Sequence, residues 1–155
     1  TELALRAVPD APTVLQTELA RLTNPDRHAR FAFLQPALSA DQATRDHFFE
    51  SLKDVANRRH EAWVLDAMRA LNHPLRADAS EPYILPALGL VREIQQTGDI
   101  FFPKRWADAT LGGARSPETA AAVQKFIETL PSDYPERLKW VLLSSADPLF
   151  RAARH

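Results

Sequence analysis

The sequence lacks cysteine, has few glycines and has no long apolar run, and each absence narrows what the protein can be. With no cysteine among 155 residues, disulfides, thiolate metal sites and cysteine nucleophiles are excluded. The same absence fits a reducing compartment. No apolar run approaches the roughly 18 residues of a membrane span, so we predict no membrane-spanning helix. We expect a soluble protein and favour the cytoplasm, with any targeting signal lying upstream of Thr1.

The charge balance gives no sign of a polyanionic partner. Nineteen Lys and Arg face twenty Asp and Glu, for a formal net charge of -1. Non-specific binding to nucleic acid or to anionic membranes usually needs a concentrated basic excess, so we predict neither partner. A chain of 155 residues can bury its own core, and no low-complexity linker divides it. We therefore predict a single helical domain over residues 1–155.

Apolar residues recur at helical spacing along almost the whole chain and nowhere alternate as in a strand. Leu15, Leu19 and Leu22 show the i, i+4, i+7 pattern of a first helix, and similar stripes follow. Prolines outnumber glycines twelve to four, and most prolines fall where a helix should begin, a position that tolerates them. We predict an all-α fold of about seven to eight helices.

Several polar residues predict where these helices start. Asn24 and Ser116 each precede a proline and are expected to cap a helix with their side chains. Ser39 with Gln42 has the spacing of a capping box.

Glycines and internal prolines predict where the helices end or bend. Gly98 and the pair Gly112-Gly113 lie where left-handed C-caps are common. Pro86 and Pro148 fall inside apolar patterns and are expected to kink or restart their helices.

Two short stretches recur at an offset of about fifty residues, a period typical of helical repeats. Leu22-Thr-Asn-Pro-Asp-Arg27 is similar to Leu71-Asn-His-Pro-Leu-Arg76, and Gln35-Pro-Ala-Leu38 is similar to Leu85-Pro-Ala-Leu88. Such repetition predicts an α-solenoid, a HEAT- or armadillo-like stack of antiparallel helix pairs.

No stretch of the chain carries a complete catalytic or metal-binding motif. His60-Glu61-Ala62-Trp63-Val64 begins like the H-E-x-x-H of zinc peptidases, but Val64 stands where the second histidine must be. No nucleophile elbow, phosphate-binding glycine loop or dinucleotide fingerprint is present. We therefore predict no catalytic residue, no metal ligand and no cofactor within this chain.

Arginine is unusually frequent, with fifteen Arg against four Lys. The planar guanidinium suits carboxylates and aromatic faces. Most of these residues are expected to pair with acidic groups of the same chain. The alternative is that one or two hold the carboxylate of a peptide, and the candidates for a substrate-facing role are Arg76, Lys104, Arg105, Arg137 and Arg151.

The segment Thr97–Trp106 places three aromatic residues within six positions, which a solvated loop would not favour. It predicts a packed corner in which Gly98 ends one helix and Pro103 starts the next. Ile100, Phe101 and Phe102 are then expected to wedge the two helices together.

Three segments carry a resemblance to a known family. In chain order they are Leu71–Arg76, then Gly98-Asp-Ile-Phe-Phe-Pro103 with Trp106, then Asp133–Leu138 with Ala146–Arg151. Their order and spacing resemble those of the C-terminal helical domain of bacterial aminopeptidase N enzymes. These are gluzincin zinc aminopeptidases, also called alanyl aminopeptidases.

The resemblance implies a noncatalytic, HEAT-like domain that encloses the active site of a zinc aminopeptidase and limits access for peptides. Its zinc and catalytic residues would lie in an upstream catalytic domain of the same polypeptide, which with the peptide substrate would be the partner of this domain. The chain begins with Thr1 rather than Met, and we expect it to be part of a longer protein. The alternative is a standalone α-solenoid that binds a peptide or a protein.

Overall fold

The structure is a computed structural model that describes residues 2–6 and 8–154. Within these ranges every regular element is helical, which confirms the all-α prediction. Two short 3-10 turns, Val55–Arg58 and Pro74–Arg76, complete the elements. The α-helices are α1 (Glu2–Leu5), α2 (Ala11–Arg21), α3 (Pro25–Leu38), α4 (Gln42–Ser51), α5 (Glu61–Leu71), α6 (Ala77–Gly89), α7 (Val91–Thr97), α8 (Phe102–Leu111), α9 (Pro117–Glu128) and α10 (Glu136–Ala152).

The helix count exceeds the predicted seven to eight. In the described residues there are nine helices of seven residues or more, together with the single turn of α1. One addition arises at the apolar stripe of Ile84, Ala87, Leu88, Val91 and Ile94, whose spacing predicts one continuous helix. That helix is interrupted at Leu90, where the backbone N–H bonds to the Ala87 carbonyl at 3.1 Å. This tighter i to i-3 bond ends α6, and α7 starts at the next residue.

The contacts divide the chain into two compact units, Thr1–Leu71 and Asn72–His155. We describe each by itself, and the single domain predicted above stays a prediction.

In the first unit, α3 packs against α2, α4 and α5. Phe48 and Leu52 are buried in its core, and the ring of Phe33 meets that of Phe48 edge-on with centroids 5.4 Å apart. Apolar residues at one face of each helix thus produce an ordinary helix–helix core.

Two arginines of the first unit are buried and satisfy backbone carbonyls. Arg45 donates to the carbonyls of Ser39 and Ala40 at 2.7 and 2.8 Å, beyond the end of α3. Arg58 donates to the carbonyls of Leu52 and Lys53 at 2.6 and 2.9 Å, beyond the end of α4. A guanidinium is suited to this task because carbonyls at a helix end have no partner within the helix.

In the second unit, α8 packs against α6, α7 and α10, and α9 packs against α6 and α10. The core is formed by buried residues of α8 and its neighbours, among which are Ile94, Trp106, Val123 and Leu142. α8 therefore holds the centre of this unit and positions the segment that follows α7.

The predicted N-caps are partly confirmed. Asn24 accepts a hydrogen bond from the Arg27 N–H, and Ser116 accepts one from the Thr119 N–H, each at 3.0 Å. The capping box at Ser39 is wrong: α4 is capped two residues later by Asp41, which accepts from the Thr44 N–H at 2.8 Å. The hydrogen bonds from Thr44 lower the pKa of Asp41.

Pro86 and Pro148 were expected to kink or restart their helices, and the restart is wrong at both. α6 continues through Pro86 and α10 continues through Pro148. Packing against neighbouring helices outweighs the one hydrogen bond that each proline removes.

The glycine expectation is also corrected. Gly98 has an extended backbone with φ -114° and Gly112 a helical one with φ -59°, so neither is a left-handed C-cap. The role of Gly113 is close approach instead. A Cβ at Gly113 would lie 1.9 Å from the Asn72 carbonyl oxygen, so only glycine fits there.

Candidate functional site

We call residues 98–105 the α7–α8 corner, and one side of it is firmly anchored. Phe102 is buried and meets Trp106 edge-on, with ring centroids 6.0 Å apart. Trp106 is 0 % exposed, and its indole Nε1–H donates to the carbonyl of Ala87 at 2.8 Å. The prediction that Phe102 packs between helices is thus confirmed.

The other side of the α7–α8 corner points into solvent. Ile100 is 65 % exposed and Phe101 is 62 % exposed, so the expectation that these two wedge the helices together is wrong. The reason is local geometry: the Phe101 N–H bonds to Asp99 Oδ1 at 2.9 Å and the Phe102 N–H bonds to the Asp99 carbonyl at 3.0 Å. This tight turn directs Phe102 inward and leaves its two predecessors outside.

The two cations predicted to face a substrate at the α7–α8 corner have different environments. Lys104 is half-buried and forms an ion pair with Asp108 one turn along α8. Arg105 is exposed, and its guanidinium carbon lies 5.7 Å from the centroid of the Phe101 ring. This is cation–π distance. The α7–α8 corner thus offers two apolar side chains and one guanidinium to solvent.

Arg137 and Arg151 lie on the same side of α10. With Trp140, Ser144 and Asp147 they recur every three or four residues, and we call these five the outer face of α10. Trp140 is 63 % exposed, and Arg151 pairs with Asp147 at 2.7 Å. Trp140 was missed in the sequence, although it falls opposite the apolar stripe of Leu138 and Leu142.

Arg76 is placed differently from the other candidates. It is 8 % exposed, and its carbonyl accepts a hydrogen bond from the Ser80 hydroxyl at 2.7 Å. Burial at the start of α6 leaves its guanidinium little surface to offer a substrate. Arg76 is thus the least exposed of the five candidates, and its substrate-facing role stays a prediction.

A salt bridge joins α7 to the segment before α10. Arg92 Nη2 lies 3.0 Å from Asp133 Oδ2, and the guanidinium carbon lies 5.9 Å from the Tyr134 ring centroid. The hydrogen bond and charge of Arg92 lower the pKa of Asp133, and Asp133 raises the pKa of Arg92 in return. Burial raises the pKa of Tyr134, an effect that the charge of Arg92 partly opposes.

This pairing predicts a pH-dependent contribution to stability. Because the folded pKa of Asp133 lies below its unfolded value of about 3.9, the contribution is complete above that value. It is lost as the pH falls through the lowered folded pKa. We expect D133N to melt at a slightly lower temperature than the wild type at pH 7 and at the same temperature in strong acid.

The matched control is the double variant R92Q/D133N in a thermodynamic cycle. If the pair is responsible, D133N has no further effect in the R92Q background, and added salt reduces the difference seen with D133N alone. If D133N lowers the melting temperature by the same amount in the R92Q background, the Arg92–Asp133 pair is not the cause of the effect.

Potential metal ligands are not gathered in the part of the chain that the structure describes. No group of three His, Asp or Glu side chains there could hold a metal ion. The His60 ring instead stacks on Trp63, with centroids 4.1 Å apart and planes at 16°. Over all described residues, no helix is long and apolar enough to cross a membrane.

Comparison with protein-family models, with curated proteins and with solved structures finds no match to this chain. The resemblance to aminopeptidase N enzymes therefore depends on the three sequence segments alone.

Proposed function

We propose that this chain is a noncatalytic helical domain of a zinc-dependent aminopeptidase. It would enclose the active site and limit which peptides reach it. The zinc, which supplies an activated water for peptide hydrolysis, would belong to a catalytic domain elsewhere in the same polypeptide. The partners of this domain are then that catalytic domain and the peptide substrate.

The observation that carries the proposal is where the family-like segments lie. Leu71–Arg76 begins at the last residue of the first unit and continues into the second. The other family-like segments lie in the second unit: Gly98–Pro103 with Trp106, and Asp133–Leu138 with Ala146–Arg151. They include two contacts within this unit: the buried bond from Trp106 to Ala87 and the exposed ion pair of Asp133 with Arg92. Residues of a shared domain signature are expected to do such structural work, because a family retains what its fold requires.

The exposed residues supply a second line of support. Ile100, Phe101 and Trp140 are large apolar side chains exposed on the second unit, and a partner that covered them would remove apolar surface from water. A domain that closes over another needs such contact points, and Arg105 and Arg137 beside them can engage carboxylates. We further propose that consecutive helices pair in antiparallel fashion as in a HEAT-like stack, whose concave side would face the peptide.

The decisive experiment is on the polypeptide encoded by the complete reading frame. The proposal expects an H-E-x-x-H motif upstream of Thr1 and aminopeptidase activity in the full protein. Removing residues 1–155 should change the ratio of kcat/KM between long and short peptides more than it changes hydrolysis of a single-residue chromogenic substrate. Absence of the motif, or an unchanged ratio, would contradict the proposal.

The chain by itself is expected to be inactive. The described residues bring no three His, Asp or Glu side chains together as a possible metal site. We therefore expect the purified 155-residue chain to bind zinc substoichiometrically and to hydrolyse no aminoacyl chromogenic substrate. Metal analysis after dialysis and a rate assay with added zinc test this. One tightly held zinc per chain, with activity, would overturn the division of labour proposed here.

A standalone α-solenoid that binds peptides or proteins remains the second candidate. Exposed Trp140 favours it, because tryptophan and arginine are the residues most often found at the centre of binding surfaces. An upstream sequence without a peptidase motif would favour this candidate over the first.

A further inference from the structure

We infer that the outer face of α10 is a binding site for acidic peptide segments, in which carboxylates flank an apolar side chain. This inference goes beyond the proposed function, since it depends only on the surface of α10. It holds whether or not the chain belongs to an aminopeptidase.

The geometry of α10 separates two faces clearly. Leu138, Leu142 and Leu149 are buried on the side of the helix that supplies the core. The outer face, from Arg137 to Arg151, lies on the opposite side and extends about 21 Å along the axis at 1.5 Å per residue. A docked segment of about six or seven extended residues would cover that length.

Trp140 is the centre of the apolar contact. Its indole is 63 % exposed, and Ser144 one turn later is small and leaves room beside the ring. An apolar side chain laid on the indole would bury a large flat surface, and the exposed indole N–H can donate a hydrogen bond.

The charges identify the partner as acidic. Arg137 lies one turn before Trp140 and has no ion pair among the residues that the structure describes. Arg151 pairs with Asp147, and both side chains are largely exposed. Exposed pairs of this kind are weak and easily exchanged. A peptide carboxylate can therefore engage Arg137 directly and compete with Asp147 for Arg151.

Other classes of ligand fit this surface less well. A helix that binds a membrane surface needs several large apolar residues on one face, and the outer face of α10 has only Trp140. A nucleic-acid strand would meet the carboxylate of Asp147 within the same stripe, and the whole chain has no basic excess. A peptide with one apolar side chain between carboxylates matches both features.

The test uses the whole 155-residue chain and two labelled peptides followed by fluorescence anisotropy. The first is a capped peptide with the core Asp-Glu-Leu-Phe-Glu-Asp, and the second replaces its acids by Asn and Gln. We expect the acidic peptide to bind with an affinity that falls as salt is added. The neutral peptide should bind about fivefold more weakly or worse. Each exposed ion pair contributes up to about fivefold in affinity, and the neutral peptide loses its pairs with both Arg137 and Arg151.

Variants locate the site. W140A should weaken binding of the acidic peptide about tenfold or more, as expected for a central tryptophan. R137Q and R151Q should each weaken it about twofold to fivefold. The matched control is K139Q, which removes an exposed cation from α10 outside the stripe and should leave the affinity unchanged. Circular dichroism verifies that each variant is folded.

Each other result overturns the inference. No anisotropy change with the acidic peptide at concentrations up to about 1 mM would do so, as would equal binding of both peptides. Wild-type affinity in W140A would place the site elsewhere. If phosphatidylserine vesicles bind to the chain and the peptide does not, the surface binds membranes instead. If an oligothymidine binds and the peptide does not, the surface binds nucleic acid.

Discussion

Truncating Trp106 to alanine should lower the free energy of unfolding of the second unit by about 4 kcal/mol or more. The indole is fully buried, and removing so large a side chain from a core typically costs about 3–5 kcal/mol. The variant also loses the bond from Nε1 to the Ala87 carbonyl at 2.8 Å and the edge-on contact with Phe102. Urea unfolding followed by far-UV circular dichroism measures the loss.

A milder variant separates packing from hydrogen bonding at Trp106. W106F keeps most of the ring volume but removes the hydrogen bond from the indole N–H to the Ala87 carbonyl. Because the Leu90 N–H also bonds to that carbonyl at 3.1 Å, the cost should be only about 1–2 kcal/mol. W140A is the control, since changes at exposed positions usually stay within about 0.5 kcal/mol. Equal losses in W106A and W140A would contradict the burial of Trp106.

The second large effect is expected from a single methyl group at Gly113. Its Cβ would lie 1.9 Å from the Asn72 carbonyl oxygen and 3.0 Å from the His73 carbonyl carbon. Backbone atoms cannot rotate away as a flexible side chain would, so the segment around Asn72 or the start of α9 must move. We expect G113A to cost about 3 kcal/mol, at the upper end of overpacking effects.

The chain supplies a matched control for this change at Gly89, the last residue of α6. A Cβ there meets nothing within 4 Å. G89A should therefore be neutral or should stabilise the protein by up to about 1 kcal/mol, because alanine reduces the freedom of the unfolded chain. If G113A and G89A unfold at the same urea concentration, the close approach of Gly113 to Asn72 is not a feature of the folded protein.

The sequence predicts those features that depend on neighbours along the chain. The all-α class follows from apolar spacing, and the caps at Asn24 and Ser116 follow because a polar side chain directly before a proline has few other uses. The capping box at Ser39 failed because Asp41, two residues on, is the better acceptor for an N–H of the first turn.

Features that depend on a distant partner, or on the exact path of the chain through a turn, could not be predicted from the sequence. Gly113 is required by the backbone of Asn72, about forty residues away in the chain, and no local pattern reveals that. Arg45 and Arg58 serve carbonyls of neighbouring turns, where the sequence suggested pairing with acids. The same holds at the α7–α8 corner. An aromatic cluster indicates burial on average, but the turn at Asp99 decides which of the rings is buried.

The three tryptophans also determine what a fluorescence experiment on this protein will measure. Trp63 lies in the first unit against Phe33, with ring centroids 5.9 Å apart, whereas the indole of Trp106 is sealed in the second unit and that of Trp140 is largely in water. The emission of the native protein should therefore be a sum of blue-shifted and red-shifted components. A melting curve recorded at one wavelength will mix the two units, so coincidence of transitions, the usual evidence for two-state unfolding, must be sought with variants that retain one tryptophan each.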